Sequence, residues 1–350
     1  MDSMSLIEGS LFAGLGKAAD FTSIEWVRRQ LHQKTGIDPH PGTVNLRLED
    51  SASLENWRDW CSTPGIALAP GEADFCSARC YPVRIGSRIP AAVVVPQVPG
   101  YPHDKLELVA ALAVRSHLAL AEGGLVSVEL CRPYPARAVI FDIDGTMVDS
   151  LGAYLEVARL ASAPFGVEIS AQQVRSSLGG NGRFWDQVLP EDFPKREAAM
   201  RQMSAHAARA WPKILREHAR VFAGLAQTLD TLKQSGMLLG IVSGARAEVL
   251  ELLREDGVLD RFDAVVLGED VARRKPDPEG LLKCLAKLHI DAGQAAYVGD
   301  TQVDIQASRS AGMHAVAVLS GAADSAQLSL CEPDRLIWSH ASLPQIVRPA

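Results

Sequence analysis

Residues 138–150, AVIFDIDGTMVDS, constrain the fold of this chain more than any other stretch. An apolar run from Ala138 to Phe141 is followed at once by acidic residues. That order reads as a buried strand delivering carboxylates to its C-terminal tip. Asp142 and Asp144 are two apart, so in extended backbone both point to one side. Two like charges that close repel each other and need a cation or a shared proton to coexist. Gly145 permits a sharp turn, and Thr146 adds a hydroxyl and a backbone N–H. Taken alone, the pair reads equally well as a solvated acidic turn ending a core strand.

At 350 residues the chain is long enough for about two domains. The net charge of -7 points away from nucleic acid and anionic membranes as partners. The start, MDSMSLIEGS, lacks the basic-then-apolar pattern of a signal peptide. No apolar run is long enough to span a bilayer. Cys76 and Cys80 stand four apart with no second pair at zinc-ribbon spacing, so the six cysteines read as reduced thiols of a cytoplasmic protein.

Residues 1–133 are rich in Pro, Gly and short β-prone runs. The spacing predicts a helix over 24–34 and strands over 44–48, Ala78–Ile85, 91–95 and Leu125–Leu130; 106–120 reads as a helix or helix-like turn. Many short strands with turn chemistry between them suggest a small barrel. RPYPAR, 132–137, is a proline-punctuated linker. Beyond it, apolar runs at Ala138–Phe141, Leu238–Val242, 264–267, 295–298 and 315–318 alternate with helical patterns at 223–234, 247–255, 278–288 and 304–311. This is the signature of a parallel sheet flanked by helices. Between Asp149 and about His218 only helical pattern occurs, which reads as a helical insertion after the first strand.

Four features fall where loops leave strand ends, the place where open α/β sheets bind ligands. They are Asp142-Ile143-Asp144-Gly145-Thr146; Ser243-Gly244; Lys275-Pro276; and Gly299-Asp300-Thr301 with Asp304. Each alone is an ordinary turn or cap. Together they suit phosphoryl transfer: a carboxylate nucleophile, a second carboxylate to protonate the leaving oxygen, oxygen ligands for Mg²⁺, and a lysine with a hydroxyl to neutralise phosphate. As a set over about 136–320 they resemble the motifs of the haloacid dehalogenase superfamily. The resemblance implies Asp142 as nucleophile and Asp144 as general acid/base. It implies Mg²⁺ held by Asp142, the Asp144 backbone carbonyl and Asp300, with Asp304 supporting or joining them. Thr146, Ser243, Gly244 and Lys275 would bind phosphate. The haloalkanoate enzymes of the superfamily lack the second aspartate, so Asp144 favours a phosphatase or phosphomutase acting on a small phosphorylated metabolite. The insertion, about 150–220, resembles the helical cap of phosphoglycolate-phosphatase-like members, with 174–182 as its substrate loop. Arg183, Trp185 and His206 are within the cap and could reach the substrate, but each reads first as surface or core.

In the N-terminal part, Thr43 and Asn45 follow Pro41-Gly42 and would face one way in a strand. Residues 9–16, GSLFAGLG, are glycine-rich. With Glu107 in Leu106-Glu107-Leu108-Val109-Ala110, Val114-Arg115 and the closing LALAEGGLVSVEL, the order resembles the CTP-dependent riboflavin kinases of archaea. That resemblance implies nucleotide binding by Gly14, Gly16, Thr43 and Asn45, Mg²⁺ at Thr43 and Asn45, and Glu107 as the base activating riboflavin on the way to FMN. Here Gly16 is followed by Lys17 and Ala18, and Ala110-Ala111 stands where the family has Ala-Pro. The expected fold class is α/β: a Rossmann-like parallel sheet with a helical cap over 134–350, plus a small N-terminal β-barrel over 1–133. The expected function is a phosphatase acting through an aspartyl-phosphate, fused to a riboflavin-kinase-like domain that is either a second enzyme or a flavin- or nucleotide-binding module.

Overall fold

The computed structural model describes residues 6–14, 18–72, 75–178, 184–245 and 247–350. The chain divides into two compact units, Met1–Pro133 with Ser325–Trp338, and Tyr134–Asp324 with Ser339–Ala350.

The first unit is built on seven antiparallel strands, β1 (Leu6–Phe12), β2 (Val44–Arg47), β3 (Ile66–Leu68), β4 (Ala78–Ile85), β5 (Ile89–Pro96), β6 (Lys105–Ala110) and β7 (Leu125–Leu130). Their order is β3-β4-β5-β6-β2-β1-β7, and β4 also pairs with β7. Six strands therefore close into a barrel, with β3 added outside β4. Closure leaves few free edges. Alternate residues fill the interior: Ile7 and Leu11, Val83 and Ile85, Leu106 and Leu108, Val126 and Val128. Helix Ser51–Ser62 adds Trp57 and Trp60, whose rings meet edge to face at 6.1 Å. This helix has no counterpart in the sequence expectations, although Asp50 caps it by accepting from the Ser53 N–H at 2.7 Å.

The helix expected over 106–120 is not formed. Residues Lys105–Ala110 are a strand between β5 and β2, and the helix that follows is only Val114–His117. Leu106, Leu108 and Ala110 are buried while Lys105 and Glu107 are half-buried, the period-two pattern of a strand. Pairing on both sides overrides the helical propensity of Leu, Glu and Ala there. Ser325–Trp338 packs within this unit: the Ser325 hydroxyl donates to the Gly36 carbonyl at 2.9 Å, and Arg84 pairs with Asp334 at 2.5 Å.

The second unit carries five parallel strands in the order Ala264–Val266, Leu238–Val242, Ala138–Phe141, Ala295–Gly299, His314–Val318. All four residues of the central strand are buried, as helices on both faces require. Helices Glu279–Leu288 and Gln302–Ala311 lay Leu281, Leu285, Ala307 and Ala311 onto one face. After the central strand the chain leaves the sheet through Val148–Asp149 and returns through Arg220–Val221, two short strands paired antiparallel. Between them lie Leu151–Ser162, Ala171–Leu178, Phe184–Val188 and the 23-residue helix Arg196–His218. They bury a core of their own around Val174, Trp185, Leu189, Met200 and Met203. Among the described residues no helix is long and apolar enough to cross a membrane.

Candidate active site

The parallel register sets the site. Ile140 and Phe141 pair with Gly240 and Ile241 on one side and with Tyr297 and Val298 on the other. The three strands therefore end within one residue of one another: Asp142 follows Phe141 directly, and Ser243 and Asp300 stand one position further along. Asp142 keeps its backbone in register by donating its N–H to the Val298 carbonyl at 2.9 Å. Gly145 turns the chain with a φ of 73°. A Cβ on Gly145, or on Gly321, would overlap an Asp300 carboxylate oxygen. These two glycines thus form a cradle for Asp300, and Ala322 N–H donates to its Oδ2 at 2.9 Å.

Lys275 is the single cation inside the acidic cluster among the described residues. Its Nζ lies 3.0 Å from Asp142 Oδ1 and 2.6 Å from Asp304 Oδ1. It also donates to the Tyr297 hydroxyl at 3.0 Å. Tyr297, fully buried, donates in turn to Val242 O or to Asp304 Oδ1, each at 3.1 Å. Asp304 Oδ2 accepts from the Thr301 N–H at 3.1 Å and from the Thr301 hydroxyl, closing a capping box at the N-terminus of helix Gln302–Ala311. Both Asp304 oxygens are therefore engaged by protein donors.

Asp142 and Asp144 each keep a buried Oδ1 without an aligned hydrogen bond. Burial pushes the Asp142 carboxyl up to about 7; Lys275 opposes the shift, and Asp304 and Asp144 add to it. Burial also raises Asp144, against hydrogen bonds from Ser150 and Tyr154. Asp300 is raised well above the carboxylate range by burial, then by Asp304 and Asp142. Burial works against the Lys275 ammonium, but Asp142 and Asp304 hold it charged well above its ordinary value.

Carboxylate oxygens of Asp142, Asp300 and Asp304 lie within 4.8 Å of one another. So much negative charge in a low dielectric needs protons or a cation. Hard oxygen donors on three buried carboxylates fit Mg²⁺. Because both Asp304 oxygens are taken, that residue suits holding Lys275 and Thr301 rather than ligating directly.

Asp142, Asp144, Ser243, Gly244, Lys275 and Asp300 all line one cavity of about 730 Å³. Thr146 does not line it. Thr146 is fully buried, its hydroxyl donates to Asp300 Oδ1 at 3.3 Å and its N–H to the Ile143 carbonyl. The expected phosphate contact from Thr146 is replaced by support of Asp300. Trp185, read from sequence as core or surface, is buried and lines the cavity, while His206 stands against the Phe165 ring. Tyr154, Trp211, Tyr297 and Gly321 carried no motif signal in the sequence. Arg183 and residues 179–182 of the expected substrate loop lie outside the described residues.

In the barrel, Asn45 and Glu107 are directly opposite across β2 and β6. The Asn45 amide donates to the Thr43 hydroxyl at 3.2 Å, so the two side chains do share a side. Gly14 closes on them, since a Cβ there would strike the Asn45 amide nitrogen. Gly16 lies outside the described residues. Glu107 is ion-paired with Lys105 two residues along the same strand. Burial, then Glu107, raise the neighbouring Tyr101 phenol.

The pKa of Asp142 fixes a sign. Its folded value of about 7 lies above the unfolded value of about 3.9. The stability from this group is fully present below about pH 4 and is lost as pH rises through about 7. In chelator, the Tm of the protein relative to Asp142→Asn falls between pH 5 and 7.5, and excess Mg²⁺ reverses the fall. Scanning calorimetry checks this; parallel pH profiles for the two proteins would refute it.

Comparison with known proteins agrees with both units. The family model of haloacid dehalogenase-like hydrolases matches residues 139–318. The model of the CTP-dependent riboflavin kinase domain, described as a domain of unknown function, DUF120, matches residues 11–130. A phosphoglycolate phosphatase of Nitrosospira multiformis is 32% identical over 195 residues, 54% of this chain and 86% of that protein. An N-acetylmuramic acid 6-phosphate phosphatase of Pseudomonas aeruginosa is 28% identical over 53% of this chain and 82% of its own length. A riboflavin kinase of Methanosarcina barkeri is 40% identical over 128 residues, 35% of this chain and 56% of that protein. Among solved structures, a haloacid dehalogenase-like hydrolase from Bacteroides fragilis aligns with a TM-score of 0.51 at 27% identity, covering 58% of this chain and 97% of its own. With half of its length matched by one family model and its N-terminal part similar to riboflavin kinases, the chain belongs to the haloacid dehalogenase-like hydrolases, as a phosphatase fused to a riboflavin-kinase-like domain.

Proposed function

We propose that residues 134–350 hydrolyse a small phosphomonoester through an aspartyl-phosphate on Asp142. The observation that carries this reading is the pairing of Asp142, held 3.0 Å from the Lys275 ammonium, with a second buried aspartate, Asp144, whose carboxyl burial keeps protonated more readily than usual. An Asp142 oxygen attacks phosphorus, the P–O bond to the alcohol breaks, and Asp144 gives its proton to the leaving oxygen. Asp144, now a carboxylate, takes a proton from water; that oxygen attacks the aspartyl-phosphate, and phosphate leaves as Asp142 is restored. Lys275, Ser243 and Gly244 neutralise and seat the phosphoryl oxygens. Asp142, the Asp144 carbonyl and Asp300 would hold Mg²⁺, which supplies further charge neutralisation. The paired strands Val148–Asp149 and Arg220–Val221 are the two connections on which the cap is hung, the arrangement that closing over a bound substrate requires.

For residues 1–133 we propose CTP-dependent phosphorylation of riboflavin, with Thr43 and Asn45 at the nucleotide phosphates and their Mg²⁺. The two activities together would place the chain in riboflavin and FMN metabolism. One observation favours a second reading for this domain. Glu107, the base in the first reading, is ion-paired with Lys105, so the carboxylate that would take the riboflavin proton is already engaged, which suits a module that binds flavin or nucleotide without turnover.

Asp142→Asn is expected to lower phosphate release at least about a thousandfold while Tm stays within a few degrees. Phosphate assay and calorimetry check this, and retained turnover would remove Asp142 as nucleophile. For the barrel, full-length protein with CTP, Mg²⁺ and riboflavin is expected to form FMN and CDP, read by chromatography. Tight riboflavin binding in calorimetry with no FMN formed would establish the binding module instead.

A further inference from the structure

The cavity has two walls of opposite character. Its floor is the charged end of the sheet, and its roof is the cap. The roof consists of Tyr154, Val157, Leu178, Phe184, Trp185 and Trp211, with small residues between them. Tyr154 and Trp211 stand with ring centroids 4.7 Å apart and tilted by 39°. Phe184 and Trp185 meet edge to face, also at 4.7 Å. No described cap helix residue lining the cavity carries a charge. The lining cations, Arg274 and Lys275, both belong to the core loop beside the phosphate seat, and Glu248 adds a negative charge on the core side.

Among the described residues this division disfavours a small acid as substrate. Phosphoglycolate has only about nine non-hydrogen atoms, whereas a cavity of about 730 Å³ is in the range, about 300–1,000 Å³, that encloses a drug-sized ligand. A carboxylate pushed toward an aromatic roof would be desolvated without a partner, at a cost of several kcal/mol. A flat uncharged ring has no charge to desolvate there and gains apolar contact with the roof rings.

We propose that the hydrolase site selects phosphomonoesters whose alcohol carries a flat, uncharged ring system, seated against the Tyr154–Trp211 and Phe184–Trp185 pairs. The inference rests on the phosphatase reading above and names its substrate class. The polar floor takes the phosphate, and the roof sorts alcohols by apolar contact.

The test compares 2-phenylethyl phosphate with phosphoglycolate on the full chain with Mg²⁺. The expected kcat/KM for the ring ester is at least about tenfold higher. Trp211→Ala is expected to shrink that ratio about tenfold, mainly through KM of the ring ester. Leu178→Lys, which puts a cation in the roof, is expected to move the ratio the other way in favour of phosphoglycolate, and keeps the test alive if the tryptophan variant fails to fold. A wild-type preference for phosphoglycolate, or a ratio that neither variant moves, would overturn the inference while leaving the phosphatase intact. Absence of phosphate release from both esters and from acetyl phosphate would overturn the phosphatase reading itself, and this inference with it.

Discussion

Lys275 holds its ammonium between Asp142 and Asp304 at the end of a buried sheet, and most of the site depends on that placement. Remove the cation and three carboxylates face one another in a low dielectric, which they can do only by taking protons. With it, the cluster keeps enough negative charge to accept a divalent ion. Tyr297 and Thr301 fix Asp304, and Asp304 fixes Lys275. The glycines at 145 and 321 let Asp300 come close without collision. Such a chain of support is what preorganised electrostatics requires, because the donors need not move as charge develops on phosphorus.

The opposition between floor and roof follows from the fold. The floor is made by loops that leave parallel strands at the same end of the sheet, so its residues come from four separated segments. The roof is an insertion with its own apolar core, joined to the sheet only by two short paired strands. The charged floor and the aromatic roof thereby come from different pieces of chain. Tyr154 is the cap aromatic that reaches the floor, where it hydrogen-bonds the Asp144 carboxyl.

Much of this was legible in the sequence because the parallel strands are short apolar runs ended by chemistry-bearing residues. Ala138–Phe141 and Leu238–Val242 stand where the apolar pattern puts them, and Asp142, Asp144, Ser243, Lys275 and Asp300 meet as the spacing implied. What was not legible depends on three-dimensional neighbours. Thr146 looks like a phosphate ligand by position, but the hydroxyl turns to Asp300. Trp185 and Trp211 are ordinary core aromatics in a helical pattern until the cap is folded over the site. Leu106 to Ala110 reads as helix until β5 and β2 claim its two edges. Gly321 carries no motif; only the approach of Asp300 gives it a role.

The central claim is a covalent phosphoryl group on Asp142. The most direct measurement is acid-quenched mass spectrometry of the protein during turnover of a phosphomonoester, followed by peptide mapping. The account predicts a mass increase of about 80 Da, one phosphoryl group, confined to the peptide that carries Asp142 and absent in Asp142→Asn. A phosphoryl group on another residue, or steady phosphate release with no adduct at any quench time, would contradict it.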